Sequence, residues 1–259
     1  MTITGLAGLS QLTPSTLSAK AEPATTAKSQ YYELRVYTIK SPAQQKLIDD
    51  YWQNAAIPAY NRIGIKPIGA FTELDSPEVT KIYVLIPFDT LEIFASVPAR
   101  LAADTAYQTA GADYLNAPKS APAYERIESS LTIAFDGMKK LAVPASVKGN
   151  QPWIFELRTY ESSGEAKGIN KVLMFNSGEI ELMGQVGLSP VFFSQTLIGS
   201  HLPNLVYMVS GPDKEVHKTN WKAFFDAPVW KHLIGDAQYK DNVSKVTSLF
   251  LKRTPYSQI

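Results

Sequence analysis

The sequence predicts an α+β protein made of two related units in one chain. The first observation is an internal repeat: residues 32–37 read Tyr-Glu-Leu-Arg-Val-Tyr, and residues 155–160 read Phe-Glu-Leu-Arg-Thr-Tyr. The shift is 123 residues (155 − 32), and residues 64–67 (Gly-Ile-Lys-Pro) repeat at the same shift as residues 187–190 (Gly-Leu-Ser-Pro). The second observation is that each copy opens with alternating apolar and polar residues, which are typical of a strand, and continues with a helical pattern.

The first predicted strand begins at Tyr31. Its alternation separates two sets of side chains, one of them Tyr32, Leu34 and Val36, and the other Glu33, Arg35 and Tyr37. Side chains in a strand point to opposite faces in turn, so this pattern predicts a half-buried strand.

A helix is predicted after this strand. Ser41 is a suitable N-cap, and Pro42 suits the first helical position. The helix runs to about Arg62, with a kink expected at Pro58, and ends at Gly64 because glycine tolerates the left-handed conformation. The rest of the unit is predicted as strands at 66–73 and 81–87, a helix at 99–115 and a strand at 124–135.

The second unit repeats this order after a linker at residues 136–151, which carries Gly, Pro and Lys without periodicity. Its predicted elements are a strand at 153–160, a helix at 168–186, a hairpin at 191–198 and 204–209, a helix at 221–237 and a strand at 244–251. The first unit has about 13 more residues before its second turn motif. Both units therefore have the order β-α-β-β-α-β, that of a ferredoxin-like unit. The predicted domains are residues 31–135 and 152–259.

Composition excludes some classes of function. The 259 residues are 45% hydrophobic and 19% charged, which is typical of a soluble globular protein. A net charge of +1 gives no reason to expect nucleic acid or an anionic membrane as a partner. The chain has no cysteine, which excludes disulfides, thiolate catalysis and cysteine-ligated metals. No apolar run is long enough to span a membrane.

Residues 1–30 differ in composition from the rest of the chain. A short, mildly apolar stretch is followed by Ser, Thr, Ala and Pro, which resembles the back half of an export signal without its basic start. We expect an exported, periplasmic bacterial protein whose natural start lies upstream of Met1. The alternative is a disordered tail on a cytoplasmic protein.

The repeated motifs resemble the NIPSNAP family. The resemblance rests on the two copies of the first strand, on the Gly-Pro steps at 63–67 and 186–190, and on the acidic-small-Pro-x-Trp pattern at 226–230. It covers residues 31–255, although the first unit has Lys119 and Ser120 after Pro118 and lacks the tryptophan.

The resemblance implies the dimeric α/β-barrel fold, here closed within one chain, with two sheets facing each other and helices outside. It implies no established activity, no catalytic residues and no cofactor. We therefore expect a binding or interaction protein, with a small-molecule ligand and a homo-oligomer as possible partners. The alternative is a cofactor-free enzyme of the monooxygenase or isomerase type, since relatives that share only the barrel include such enzymes and haem enzymes.

The candidate site is the polar face of the two first strands. If the helices cover the apolar face, the space between the sheets is lined by Glu33, Arg35, Tyr37, Glu156, Arg158 and Tyr160. Burying these charges costs several kcal/mol each unless they are paired. They form either a structural ion-pair network or a pocket, in which an arginine holds an anionic or carbonyl-bearing ligand and a glutamate acts as base.

The three histidines match no local metal motif. His201 is expected in a hairpin turn and His217 in a polar loop, both exposed. His232 is expected on a helix, at the surface or facing a pocket. The sequence has no Gly-x-Gly-x-x-Gly, P-loop or Gly-x-Ser-x-Gly pattern, so it gives no support for a nucleotide site or a serine hydrolase.

Overall fold

The computed structural model describes residues 1, 28–144 and 152–259. These residues form a closed antiparallel barrel with the strand order β1-β3-β2-β8-β5-β7-β6-β4, and the helices lie outside it. β1 to β4 come from the first unit and β5 to β8 from the second. The predicted fold, tandem α+β units that close one barrel within the chain, is confirmed. The predicted export signal at 1–30 falls largely outside the described residues, and so does the second part of the predicted linker, residues 145–151.

The first unit contains four strands and five helices among the described residues. The strands are β1 (Tyr31–Thr38), β2 (Gly69–Glu73), β3 (Lys81–Phe88) and β4 (Arg126–Ala134). The helices are α1 (Pro42–Tyr51), α2 (Ile57–Arg62), α3 (Leu91–Ala102), α4 (Thr105–Ala110) and α5 (Ala112–Leu115).

The second unit has the same strand order and four described helices. Its strands are β5 (Ile154–Glu161), β6 (Ser189–Ile198), β7 (Asn204–Gly211) and β8 (Lys245–Arg253). Its helices are α6 (Glu165–Met174), α7 (Ile180–Gln185), α8 (Lys214–Asp226) and α9 (Pro228–Gly235).

Each unit has an irregular segment between its first two helices. The segments are Trp52–Ala56 and Phe175–Glu179, which again are 123 residues apart (175 − 52). The first is a π-helical turn, whereas the second is a kink with non-helical backbone angles at Ser177 and Gly178. Pro58 was expected to kink the first helix, but the position 123 residues later is Glu181, so the second unit is irregular here without a proline.

The helix that follows the central hairpin of each unit, α3 or α8, begins earlier than predicted. The side chain of Thr90 accepts a hydrogen bond from the amide of Ile93 and starts α3, and Asp213 caps α8 in the same way through Val216. These N-caps are equivalent in the repeat (213 − 90 = 123). The helix predicted at 99–115 is thus divided into α3, α4 and α5, and the helix predicted at 221–237 into α8 and α9.

The two units meet along two seams of the barrel. β2 pairs with β8 from Phe71 opposite Arg253, and β4 pairs with β6 through a register shift between Leu131 and Thr132. One end of the barrel is filled by large side chains from both units, namely Tyr32, Phe71, Phe155, Phe192 and Ile259. Neither sheet buries this face without the other.

The alternation predicted for β1 and β5 is present, but the assignment of its two faces is wrong. Leu34, Val36 and Leu157 belong to the cluster inside the barrel. The polar set, Glu33, Arg35, Tyr37, Glu156, Arg158 and Tyr160, points outward, where it lies between each sheet and its own helices. This is possible because the helices and neighbouring strands supply polar partners for the charges, so the ions need not meet across the barrel.

Candidate functional site

Glu33 and Arg35 form a two-point ion pair on the outer face of β1. Arg35 Nε donates to Glu33 Oε1 at 2.5 Å, and Arg35 Nη2 donates to Oε2 at 3.0 Å. The hydroxyl of Ser129 on β4 also donates to Glu33 Oε1 at 2.8 Å. Glu33 is buried, so the bidentate geometry compensates much of the cost of removing this carboxylate from water.

A cleft of about 270 Å³ descends between the helices of the first unit to Arg35. About 24% of the Arg35 side chain is exposed. The walls come from α1 to α5 and are largely apolar and aromatic: Tyr51, Tyr60, Val97, Pro98, Leu101, Ala102, Tyr107, Gln108 and Leu115. An arginine at the base of an apolar cleft is the arrangement that binding sites for small molecules favour.

Phenol groups surround the base of this cleft. Arg35 Nη2 donates to the Tyr60 hydroxyl at 3.4 Å, and the hydroxyls of Tyr51 and Tyr107 hydrogen bond at 2.8 Å. Burial raises the pKa of Tyr60, which Arg35 lowers in part, leaving it at about 12. Burial also raises the pKa of Tyr51. Tyr51 and Tyr60 therefore stay protonated near neutral pH and can donate hydrogen bonds.

In the second unit, the carboxylate on the equivalent strand β5 has a different set of hydrogen-bond partners. Glu156 binds Arg158 through Nη1 at 2.5 Å and accepts from the Ser248 hydroxyl at 2.5 Å and from Trp221 Nε1 at 2.8 Å. Its Oε2 also lies 2.7 Å from His217 Nε2. Burial raises the pKa of Glu156, but His217, Arg158, Ser248 and Trp221 together outweigh it and lower the pKa to about 2.

Trp221 covers the second arginine. The Arg158 guanidinium carbon lies 4.7 Å from the centre of a Trp221 ring, and Arg158 Nη2 donates to the Tyr160 hydroxyl at 3.2 Å. Two tyrosines of the first cleft also have no counterpart, since the positions 123 residues after Tyr51 and Tyr60 are Met174 and Met183. The second copy is thus a structural ion-pair network beneath Trp221, in which Arg158 Nε and His217 Nδ1 are buried without a hydrogen-bond partner in the part of the chain that the structure describes.

The prediction for His217 is wrong. It lies on α8 rather than in a loop, and only about 1% of its side chain is exposed. Asp213 was the available signal, because a helix that starts there places His217 and Trp221 one turn apart on the face toward the sheet. His201 is exposed in the β6–β7 turn as expected, and His232 is exposed near the end of α9.

A polar cavity between the two sheets is present, but other residues line it. It has a volume of about 530 Å³ and opens at one end of the barrel, beside the ends of β1 and β5. None of the six predicted residues lines it, because all six face outward. Its walls include Leu34, Val36, Thr159, Thr196 and Val206.

Two further observations bear on the class of site. Within the described residues, no group of three His, Asp or Glu side chains is placed to hold a metal ion. In the same part of the chain, no helix is both long and apolar enough to cross a membrane.

Two stretches of this chain, residues 32–136 and 155–258, each match the NIPSNAP family model. These stretches correspond to the two units of the barrel. No curated protein sequence matches the chain.

Several solved structures resemble the whole barrel. A candidate monooxygenase from Lactobacillus acidophilus superposes with a TM-score of 0.58 at 10% identity, over 87% of this chain and 94% of that one. An anthrone oxidase-like protein superposes with a TM-score of 0.51 at 13% identity, over 88% and 93%. A shorter match, to a NIPSNAP-like domain protein from Burkholderia xenovorans, covers 42% of this chain and 92% of that one at 17% identity, with a TM-score of 0.38. At these identities the first two likenesses describe the fold alone.

Proposed function

This chain belongs to the NIPSNAP family, and because the family match assigns it no activity, we propose a function from the geometry of the chain itself. The protein binds a small apolar molecule in the first-unit cleft, where Arg35 holds a carbonyl oxygen of the ligand. The observation that carries this proposal is the difference between the two copies of one strand. Arg158 lies under Trp221, whereas Arg35 lines an open cleft.

The chemistry of the cleft favours a neutral oxygen acceptor. Glu33 already balances the charge of Arg35 through two hydrogen bonds, so the cleft attracts an anion less than a lone arginine does. The guanidinium edge and the Tyr60 phenol can still donate to a carbonyl. The apolar wall suits a ring, since a cavity of about 150 Å³ already holds benzene, and this cleft is larger.

Binding is better supported than catalysis. A general base needs a free carboxylate oxygen within reach of a substrate proton. Glu33 already accepts hydrogen bonds from Arg35 on both oxygens and from Ser129 on one. The barrel neighbours described as oxygenases share too little sequence to transfer their chemistry.

Calorimetric titration with three ring compounds tests this proposal. Acetophenone carries a carbonyl, benzoate a carboxylate, and ethylbenzene neither. We expect acetophenone to bind best and ethylbenzene worst. The substitution Ala102→Trp fills the cleft from α3 without touching the ion pair, and it should abolish binding. Ala99→Trp, one turn earlier on α3 and outside the cleft, should not. Equal binding by the wild type and a folded Ala102→Trp variant would refute the proposal.

We also propose that residues 1–30 carry part of an export signal. The support is their composition, apolar and then rich in small residues. N-terminal sequencing of the protein from its natural host should give a mature start after the small residues Leu17-Ser18-Ala19, in the periplasmic fraction. Recovery of the uncleaved chain in the cytoplasm would contradict export.

A homo-oligomer is a further proposal. Exposed apolar side chains lie on the helical surface of the second unit, among them Ile169, Leu173 and Ile234. Light scattering coupled to size exclusion should give a mass above that of one chain, and Leu173→Lys should reduce it. A monomer at all accessible concentrations would exclude this.

A further inference from the structure

The cavity between the sheets is a second site, independent of the Arg35 cleft. We call it the barrel cup and define it by its lining strand residues Leu34, Val36, Glu128, Ser130, Thr159, Thr196, Val206 and Thr247. We propose that the barrel cup binds a small, uncharged, hydroxyl-rich molecule such as a cyclic polyol.

The barrel cup exists because the barrel is filled at only one end. An eight-stranded barrel is just wide enough to be filled by side chains or to hold one small ligand. Tyr32, Phe155 and Phe192 fill one end of this barrel. Toward the other end the inward positions carry shorter side chains, such as Val36, Thr159 and Thr247, and a cavity of about 530 Å³ results.

A departure from the repeat creates part of this space. In the first unit Tyr83 points into the barrel, and its hydroxyl donates to Glu73 at 2.9 Å. The positions 123 residues later are Val206 and Thr196, which both line the barrel cup. The second unit thus has an open wall where the first unit has a phenol and a carboxylate.

The polar groups on the wall are suited to recognise hydroxyls. The side-chain oxygens of Ser130, Thr159 and Thr247 have no hydrogen-bond partner among the described residues, and Glu128 has no cation paired with it there. A serine or threonine hydroxyl both donates and accepts, and a carboxylate accepts from two adjacent hydroxyls. Leu34, Val36 and Val206 provide an apolar surface for the C–H face of a ring.

The ion pair at the rim adds no net charge to the barrel cup, so Glu128 is its one uncompensated charge among the described residues. Glu161 and Lys245 neutralise each other through an ion pair of 2.8 Å. Thr196 and Asn204 are joined by a hydrogen bond of 2.5 Å, and Asn204 also holds the β6–β7 turn through the carbonyls of Ser200 and His201. These bonds order the rim in the free protein, which reduces the entropy cost of binding a ligand.

Titration calorimetry with myo-inositol and cyclohexanol tests the proposal, because the two rings differ only in their number of hydroxyls. We expect saturable binding of inositol and much weaker binding of cyclohexanol. The double substitution Thr159→Val and Thr247→Val removes two hydroxyls while keeping the side-chain shape, and we expect affinity to fall about tenfold or more. Thr219→Val, on the exposed side of α8, is the matched control and should bind as the wild type does.

A variant whose barrel cup is filled by a larger side chain provides a second test. Val206→Tyr restores the residue that the first unit has at this position and should abolish inositol binding in a protein that still unfolds cooperatively. Ala102→Trp, which blocks only the Arg35 cleft, should leave inositol binding unchanged. The proposal is overturned if inositol fails to bind, if cyclohexanol binds as tightly, or if binding survives in folded Val206→Tyr.

Discussion

Glu156 is the most heavily bonded carboxylate of the second unit, and its surroundings explain why. Four donors from three elements converge on it: Arg158, Trp221 and Ser248, with His217 as the fourth partner. A buried carboxylate with this many partners is stable only as the anion. We interpret Glu156 as the residue that fixes α8 against the sheet.

The substitution Glu156→Gln should cost about 3 kcal/mol or more at neutral pH, because it leaves Arg158 buried without its counter-ion. The folded-state pKa of Glu156 is about 2, below the ordinary value of 4.5. Its contribution is thus complete above pH 4.5 and is lost as the pH falls toward 2. Urea unfolding across the acid range should show the gap between wild type and variant closing in this window. A gap that is independent of pH would contradict the account.

A second buried ion pair, Lys171 with Glu179, occurs only in the second unit. Lys171 Nζ lies 2.5 Å from Glu179 Oε1, and the side chains are 3% and 2% exposed. The positions 123 residues earlier are Ile48 and Ala56. Burial lowers the pKa of Lys171 and raises that of Glu179, so desolvation opposes the charges of both groups.

The first unit supplies the natural replacement for this pair. Lys171→Ile combined with Glu179→Ala should leave the free energy of unfolding unchanged or raise it by about 1–4 kcal/mol, because no ion is then buried. Lys171→Ile alone should destabilise by about 3–5 kcal/mol, since Glu179 loses its partner. Chemical denaturation of the three proteins gives the comparison. A double variant less stable than the wild type would show that the pair itself stabilises the fold.

At the scale of elements, the repeat extends to the ends of helices. α2 and α7 are each followed within two residues by a glycine with positive φ, Gly64 at 85° and Gly187 at 87°. A β-carbon at Gly64 would contact nothing within 4 Å, whereas one at Gly187 would lie 3.0 Å from the Asn220 amide.

These two glycines allow a matched test. Gly64→Ala should cost about 1–2 kcal/mol, the cost of the left-handed conformation alone. Gly187→Ala should cost more, because Asn220 must also move and its bond to the Gly187 carbonyl is disturbed. Thermal unfolding of both variants measures the difference. A larger loss of stability in Gly64→Ala than in Gly187→Ala would contradict the close contact between Gly187 and Asn220.

The sequence predicted the strands well and the orientation of their faces poorly. Alternation in 32–37 separates Leu34 and Val36 from Glu33 and Arg35, but it is symmetric and does not say which set meets the helices. The choice depends on partners that are distant in sequence, such as Ser129 for Glu33 and Trp221 for Glu156. The Arg35 cleft was beyond prediction for the same reason, since its walls come from five helices. Asp213 could have been recognised from the sequence as the N-cap of α8, and this would have predicted that His217 lies on a helix.

At the scale of the whole molecule, the two units are halves of one barrel. Both seams are paired through backbone hydrogen bonds, and the filled end of the barrel takes side chains from both units. Separating the units would expose the edge strands β2, β4, β6 and β8 together with this apolar surface.

We therefore expect a single cooperative unfolding transition. In scanning calorimetry the van't Hoff enthalpy should equal the calorimetric enthalpy, as for a two-state protein. Fluorescence, which reports on Trp52 in the first unit and three tryptophans in the second, should change together with circular dichroism. Two resolved transitions would mean that the units are independently stable.

The two copies of the Glu-x-Arg-x-Tyr strand differ in what covers their arginine: Trp221 packs over Arg158, whereas Arg35 lines a cleft. The most direct test is acetophenone titration of the wild type, Arg35→Met and the cleft-filled Ala102→Trp, with Arg100→Met on the exposed face of α3 as the charge control. We predict one binding site per chain, lost in Arg35→Met and Ala102→Trp and retained in Arg100→Met. Undiminished binding in folded Arg35→Met and Ala102→Trp, or no binding by the wild type, would contradict the account.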